Sequence, residues 1–219
     1  MRIRQNKMKF EGDIPDRYRD SIEKALQTIG AVGTDEQKMI AGLILDSQMI
    51  VRARPVKELN ASGITGLIDS AATSEKISQG AISLIDAFGE IYIAIAYETI
   101  DTGGQRGCEG TFVHEGRHVY DFARVIASYS DAAVNPLSVF DPTLFELEWE
   151  AHRTSGEYML AVNRPEYIEE GLGLMILGRH SGKCCVDSAG IAQRLSSSYG
   201  LKRSIAEGPL TSELLGLRI

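Results

Sequence analysis

The sequence predicts an α+β fold in which a small, mainly antiparallel sheet packs against two helices. Two runs rich in β-branched and aromatic residues, at 81–86 and 90–97, have the composition of strands, and 87–89 has that of a short hairpin loop. Helical periodicity precedes these strands at 15–29 and follows them from residue 111 onwards. Helices, then a small sheet, then helices is the order typical of an α+β chain.

The chain has the length of one domain, and its 219 residues include 43% hydrophobic ones, enough for a sizeable core. We therefore expect a single domain over residues 1–219, with an N-terminal helical part at 1–45, a central core at 80–160 and a C-terminal helical part at 165–219. The other expected elements are a helix that opens on the capping-box pattern Thr34 to Gln37, strands at 49–54 and 63–68, and helices at 167–177, 189–195 and 211–217.

The net charge of −7 argues against a nucleic-acid partner, which would require a basic surface. The sequence contains no apolar run of transmembrane length, and its basic start lacks the apolar region of a secretory signal. We expect a cytoplasmic protein with no membrane partner. Export by a route without a signal peptide and the oligomeric state stay open.

The three cysteines do not form a disulfide framework, because Cys184 and Cys185 are adjacent and Cys108 could pair with only one of them. A reduced compartment is the default. The pattern His180, Cys184, Cys185 lacks a fourth ligand and the Cys-x-x-Cys spacing of structural zinc sites, so we favour ordinary thiols over a second metal cluster.

The sequence His-Glu-Gly-Arg-His at 114–118 is the strongest chemical motif of the chain. On a helix, residues four apart lie on one face, so His114 and His118 can bind one metal ion. Glu115 is rotated by about 100° from His114 and can reach a water molecule held by that metal. Two nitrogen ligands and an adjacent carboxylate suit metal-assisted hydrolysis.

The context supports a helix at this motif. Four glycines in residues 101–110 predict a loop, and Thr111 is suited to cap a helix that runs to about Ile126. The expected buried stripe of this helix comprises Phe112, Val119, Phe122, Ala123 and Ile126.

A third ligand is expected from the next helix, whose start is predicted at Asp141 and Pro142. That helix offers Glu146, Glu148 and Glu150, which cannot share one face at a spacing of two. We favour Glu148, at the edge of the buried side, and keep Glu150 as the alternative.

These residues resemble the gluzincin group of zinc metallopeptidases, the thermolysin-like superfamily. The resemblance covers about residues 80 to 160 and rests on His114, Glu115, His118 and a helix with Glu148 followed by Ala151. It implies a minimal zincin-like domain with extra terminal helices, in which Zn²⁺ is bound by His114, His118 and Glu148. His152 stands where the group often has an aspartate that supports a ligand, and Arg117 is a further departure.

The expected activity is zinc-dependent hydrolysis of peptide bonds in a peptide or protein substrate, with Glu115 as the general base. The donor that stabilises the oxyanion stays open among Arg117, Arg153, Tyr158 and His180. The strand at 91–97, or a neighbour in its sheet, could bind an extended peptide by strand addition. The alternatives are an effector or toxin module with the same chemistry on one protein target, a zinc hydrolase acting on another amide, and a non-catalytic metal-binding interaction domain.

Overall fold

The computed structural model describes residues 8–80, 82–131 and 136–219. Within them the chain forms an α+β fold, as predicted. Its helices are Asp16–Val32 (α1), Asp35–Asp46 (α2), Val56–Leu59 (α3), Ser70–Ser78 (α4), Leu84–Ala87 (α5), Tyr97–Asp131 (α6), Leu144–Val162 (α7), Pro165–Gly173 (α8), Ser188–Arg194 (α9) and Thr211–Leu214 (α10). Its strands are Lys9–Phe10 (β1), Ile50–Arg54 (β2), Gly63–Leu67 (β3), Ile91–Ala96 (β4), Leu177–His180 (β5) and Lys183–Val186 (β6).

The main sheet is mixed, so the prediction of a mainly antiparallel sheet was wrong. Its strand order is β1-β2-β4-β3; β1 pairs with β2 and β2 with β4 in parallel, whereas β3 and β4 are antiparallel. Pairing between strands distant in the chain is not encoded in local composition, which is why the parallel pairs were missed. β4 lies inside the sheet, and five of its six residues are buried. This position explains its nearly uninterrupted apolar sequence.

The strand and hairpin loop predicted at 81–89 were also wrong. Ala81 lies outside the described residues. Leu84–Ala87 is a helical turn whose N-cap, Ser83, accepts a hydrogen bond from the Asp86 backbone N–H, and Phe88–Glu90 is a 3₁₀ turn. The serine cap favours a helix start over the strand that the apolar composition suggested.

The two N-terminal helices agree with the sequence. α2 begins with a capping box, because the Thr34 side chain accepts from the Gln37 backbone and the Gln37 side chain accepts from the Thr34 backbone. A Cβ placed on Gly116 of α6 would lie 3.4 Å from both Ile40 and Ile44 of α2. Glycine at this position therefore lets α2 pack closely against the motif-bearing helix.

The helix that carries the motif begins earlier than predicted. Residues 101–110 were expected to form a loop and Thr111 a cap, but both lie within α6. Non-helical geometry within α6 occurs at Gly104, whose φ of 58° and ψ of −147° divide the span into two helices that meet there. Cys108 and Glu109 are buried, so tertiary packing holds this glycine-rich segment helical against its low intrinsic propensity.

The helix that carries Glu148 begins at Leu144 rather than at Asp141. Thr143 is its N-cap and forms a capping box with Glu146. The Asp141 carboxylate instead accepts hydrogen bonds from the Tyr129 hydroxyl and from Ser212 of α10. The predicted cap thus serves a tertiary contact.

The C-terminal part is not wholly helical, contrary to expectation. The helix predicted at 167–177 ends at Gly173, and after Met175, whose φ is 59°, the chain enters the antiparallel β5–β6 hairpin. α9 lies where a helix was predicted at 189–195, and α10 is shorter than the helix predicted at 211–217. No helix among the described residues combines the length and the apolar character needed to cross a membrane.

Candidate metal centre

Two histidines project from the same face of α6. The Nε2 atoms of His114 and His118 are 3.2 Å apart, and their ring planes meet at 86°. The His118 side chain is buried, whereas that of His114 is partly exposed. The helical spacing therefore directs both rings to one point.

Glu148 of α7 lies beside both rings. Its Oε2 is 3.5 Å from His114 Nε2, and its Oε1 is 3.5 Å from His118 Nε2. These three residues are the one group of histidine, cysteine, aspartate or glutamate among the described residues that is placed to hold a metal ion, with ligand atoms within 4.8 Å of one another. Burial opposes ionisation of Glu148, but the two histidines outweigh it and hold the pKa of this carboxyl well below its usual range. Burial of His118 favours its neutral form and would lower its pKa. The hydrogen bond and charge of Glu148 outweigh that effect, so the pKa of His118 is raised.

The three side chains fit a zinc ion. Zinc binds imidazole nitrogen and carboxylate oxygen at about 2.0–2.2 Å, so two ligand atoms at a tetrahedral angle lie roughly 3.3–3.5 Å apart. The 3.2 Å between the two Nε2 atoms matches this value, and each of these nitrogens lies 3.5 Å from a different oxygen of Glu148. Glu148 Oε2 is buried without a hydrogen-bond partner in the described part of the chain. A buried polar atom without a partner is commonly explained by a bound ion or water.

Glu115 is buried beside the histidines and contacts the sheet. The Thr65 hydroxyl of β3 donates a hydrogen bond to Glu115 Oε2 at 2.7 Å and also lies 3.2 Å from the Glu115 backbone oxygen. A Cβ placed on Gly63 would lie 2.9 Å from Glu115 Cγ and 2.5 Å from Thr111 Cγ2. β3 therefore packs directly on this carboxylate and leaves no space for a larger residue at position 63.

The two neighbouring acids of α7 have other partners. Glu150 accepts from Arg153 Nε at 2.8 Å and lies 3.5 Å from Arg117. Glu146 accepts from the Thr143 backbone at 2.8 Å as part of the capping box. The structure thus brings Glu148, and neither Glu146 nor Glu150, to the histidines.

A cavity of about 230 Å³ opens beside the histidines, and His114, Glu115 and His152 contribute to its wall. The rest of the wall is largely apolar and comes from α6, α7, α8 and the segment before β5, with Val113, Tyr158, Met159, Tyr167, Leu174 and Ile176. A second depression, of about 550 Å³, lies at the far end of β3 between residues 65–70, Phe122 and α10. The motif therefore borders the first of two separate depressions, which lie near opposite ends of β3.

Three of the four candidate oxyanion donors lie outside this cavity wall. Arg117 forms a buried pair with Asp121, at 2.8 Å and 3.1 Å, and also bonds Glu36. Arg153 belongs to the same network, and His180 is exposed on the β5–β6 hairpin.

Tyr158 is the fourth candidate and lines the cavity. Its hydroxyl donates to the buried Glu109 at 2.8 Å, and the Tyr167 hydroxyl donates to the same oxygen at 2.6 Å. Burial and the Glu109 carboxylate together raise the pKa of Tyr158 far above its usual value. Its proton is thus already committed to a carboxylate.

Two aromatic residues near the cluster were not predicted as site residues. His152 of α7 lies one turn after Glu148, with its ring centroid 4.9 Å from that of His114. Burial, together with the nearby His114, lowers the pKa of His152 to about 3. Tyr199, in the π-helical turn Leu195–Tyr199, has its ring centroid 6.1 Å from that of His152. The i, i+4 spacing of Glu148 and His152 could have revealed His152, whereas Tyr199 comes from a distant segment with no such signal.

The cysteines form no second metal cluster within the described residues. Cys108 is buried, and burial raises the pKa of its thiol to about 12. Cys184 and Cys185 are neighbours on β6, where alternate residues face opposite sides of the strand. All three thiols are free, as the sequence predicted.

Comparison of the chain with models of protein families, with curated proteins and with solved structures finds no match.

Proposed function

We propose that this protein is a zinc-dependent metallopeptidase of the gluzincin kind, which binds Zn²⁺ through His114, His118 and Glu148. The observation that carries the proposal is the convergence of these three side chains, from two helices, beside the Glu115 carboxylate. Two imidazoles and one carboxylate leave a coordination position for water or substrate, whereas structural zinc sites are closed by four protein ligands. This arrangement supports a catalytic role over a purely structural one.

Zinc at this position would lower the pKa of a water molecule towards about 7 and polarise the scissile carbonyl. Glu115 is the general base of the proposed reaction. Its Oε2 is held by the Thr65 hydroxyl, and Oε1 has no hydrogen-bond donor among the described residues. Oε1 is therefore available to take the proton of the attacking water and to deliver it to the leaving amine.

The substrate is proposed to be an extended peptide that lies along β3. β4, which the sequence suggested for strand addition, is flanked by β2 and β3 and has no free edge. β3 is an edge strand of the sheet, and its Thr65 contacts Glu115. A peptide paired with β3 would therefore pass the proposed catalytic base. The cavity at one end of the strand and the depression at the other would accept its side chains.

The experiment that tests this function compares wild-type protein with Glu115→Gln on a mixture of proteome-derived peptides. Glutamine keeps the size and polarity of the side chain but cannot act as a base. We expect new peptide termini with the wild type, and a rate lower by roughly 10²–10⁴-fold with the variant. Zinc content should be equal in the two proteins. No cleavage by zinc-loaded wild type, or equal cleavage by both, would contradict the proposal.

A further inference from the structure

His152 is a buried histidine without a hydrogen-bond partner at the edge of the candidate centre. The residue is 6% exposed, and its Nε2 makes no hydrogen bond within the described part of the chain. A buried polar group that lacks a partner destabilises the folded state. Such a group calls for an explanation, and a ligand or ordered water that satisfies it is one.

The surroundings of His152 place it on the substrate side of the cluster. It projects from the same face of α7 as Glu148, because the two are four residues apart. It lines the cavity together with His114 and Glu115, and its ring packs against that of His114. It does not belong to the group of side chains placed to hold the metal. Its ring is thus next to a candidate metal ligand, while His152 itself is not part of the metal cluster.

We infer that His152 is a catalytic residue, which donates a hydrogen bond from Nε2 to the carbonyl oxygen of the substrate and stabilises the negative charge that forms there. This inference rests on the proposed peptidase function. No proton leaves His152 in this step. The water oxygen forms a bond to the carbonyl carbon and Glu115 accepts a proton of the water; the same proton then passes to the peptide nitrogen as the C–N bond breaks, which releases an amine and a carboxylic acid. A neutral imidazole has one N–H donor, which is all that the role requires.

Tyr199 is the competing donor. Its ring is close to that of His152, but the residue is 44% exposed. Desolvation is the largest cause that raises the pKa of its hydroxyl, and the nearby Glu148 charge is the next. A phenol beside Glu148 can donate to that carboxylate. His152 has no such partner, which favours it over Tyr199.

Two substitutions distinguish the nitrogen atoms of the ring. The amide nitrogen of glutamine can lie near the position of histidine Nε2, whereas that of asparagine lies near Nδ1. We therefore expect His152→Asn to lower kcat by about 10²–10³-fold, the usual effect of removing an oxyanion donor, and His152→Gln to lower it by less than about tenfold. The matched controls are His180→Asn, on the exposed hairpin, and Tyr199→Phe, and both should stay within about threefold of wild type.

Binding provides a readout that does not depend on turnover. Affinity for a phosphonate peptide, whose tetrahedral oxygen resembles the charged carbonyl oxygen, should fall in His152→Asn in proportion to kcat. KM and zinc content should change little, and the absorption spectrum of the cobalt-substituted protein should match that of wild type, because His152 is not a ligand.

Provided that the wild type binds zinc and cleaves peptides, four outcomes would overturn this inference alone. Two concern turnover: no change in His152→Asn, or an equal loss of turnover in the asparagine and glutamine variants. The other two are loss of zinc or of the folded state in both His152 variants, and a larger loss of turnover in Tyr199→Phe. Wild-type protein that binds no zinc or cleaves no peptide would overturn the proposed function and this inference together.

Discussion

At the scale of single residues, one of the three acids of α7 is assigned as the third metal ligand. Glu148 faces the histidines, while Glu150 bonds Arg153 and Glu146 caps the helix. The sequence favoured Glu148 from its place at the edge of the buried side. It could not show that the two neighbours have structural partners, because those contacts depend on how α7 sits against the rest of the chain.

We expect Glu148→Gln to weaken zinc binding by more than about 100-fold, since loss of even an outer partner of a ligand costs 10–100-fold. Glu150→Gln should keep zinc and lower the free energy of unfolding by less than about 1 kcal/mol, because its ion pairs are partly exposed. Glu146→Gln should resemble wild type, since glutamine can also complete a capping box. Calorimetric titration with zinc measures the zinc affinity of the three variants. Tight binding by Glu148→Gln with weak binding by Glu150→Gln would contradict the assignment.

At the scale of elements, β3 and α6 pack closely against each other at Gly63. The strand was predicted from its composition, but its role beside Glu115 was not, because the contact joins residues about 50 positions apart. A methyl group on Gly63 would overlap Thr111 and Glu115. The glycine therefore controls how closely the edge strand approaches the proposed catalytic base.

Gly63→Ala should destabilise the protein by about 1–3 kcal/mol, the usual cost of overpacking, and should lower turnover by displacing Glu115. Gly42→Ala, in α2 and outside the cavity wall, is the matched control, because a Cβ there has no neighbour within 4 Å and alanine favours the helix by up to about 1 kcal/mol. Urea unfolding measures the stability of both variants, and peptide hydrolysis measures their turnover. Full stability and activity of Gly63→Ala would show that β3 can move away from α6 without consequence.

A buried charge network fixes α6 against α7 and α2 behind the metal centre. Asp121 is 1% exposed and holds Arg117 in two hydrogen bonds, and Arg117 reaches Glu36 of α2. In the sequence, Arg117 is a departure from the gluzincin pattern and a possible oxyanion donor. In the structure the guanidinium is hydrogen-bonded to Asp121 and Glu36, and Arg117 lines a different depression from the one beside the histidines.

Asp121→Ala should lower the free energy of unfolding by about 3–5 kcal/mol, because it leaves the Arg117 charge buried without its main partner. Glu36→Gln removes a partly exposed partner of the same arginine and should cost less than about 1 kcal/mol. Thermal and chemical unfolding of the two variants provide the comparison. Equal effects would show that Arg117 does not depend on the buried acid.

At the scale of the whole molecule, the sequence predicted the fold class, the N-terminal helices, strands β2 to β4 and the convergence of His114, His118 and Glu148. Each of these depends on local signals such as helical spacing, caps and β-branched composition. It missed the parallel pairing of β2 with β4, the β5–β6 hairpin and the start of the motif helix before Thr111, after the break at Gly104. These features depend on contacts between distant segments, and tertiary packing overrode the local propensity of residues 101–110.

A metal that binds the folded chain and not the unfolded one must stabilise the whole domain. At a free zinc concentration 100 times the dissociation constant, the gain is about 2.7 kcal/mol. The melting temperature should therefore rise when zinc is added to chelator-treated wild type and stay constant for His114→Ala. An equal rise in both proteins would place zinc elsewhere.

The zinc content of purified protein is the sharpest test of the candidate metal centre. We predict one zinc per chain in the wild type and in Glu115→Gln, and less than a tenth of that in His118→Ala, by elemental analysis after dialysis against metal-free buffer. The comparison isolates a proposed ligand from the proposed base one helical turn away. Full zinc in the His118→Ala protein, or none in the wild type, would contradict the assignment of the metal centre.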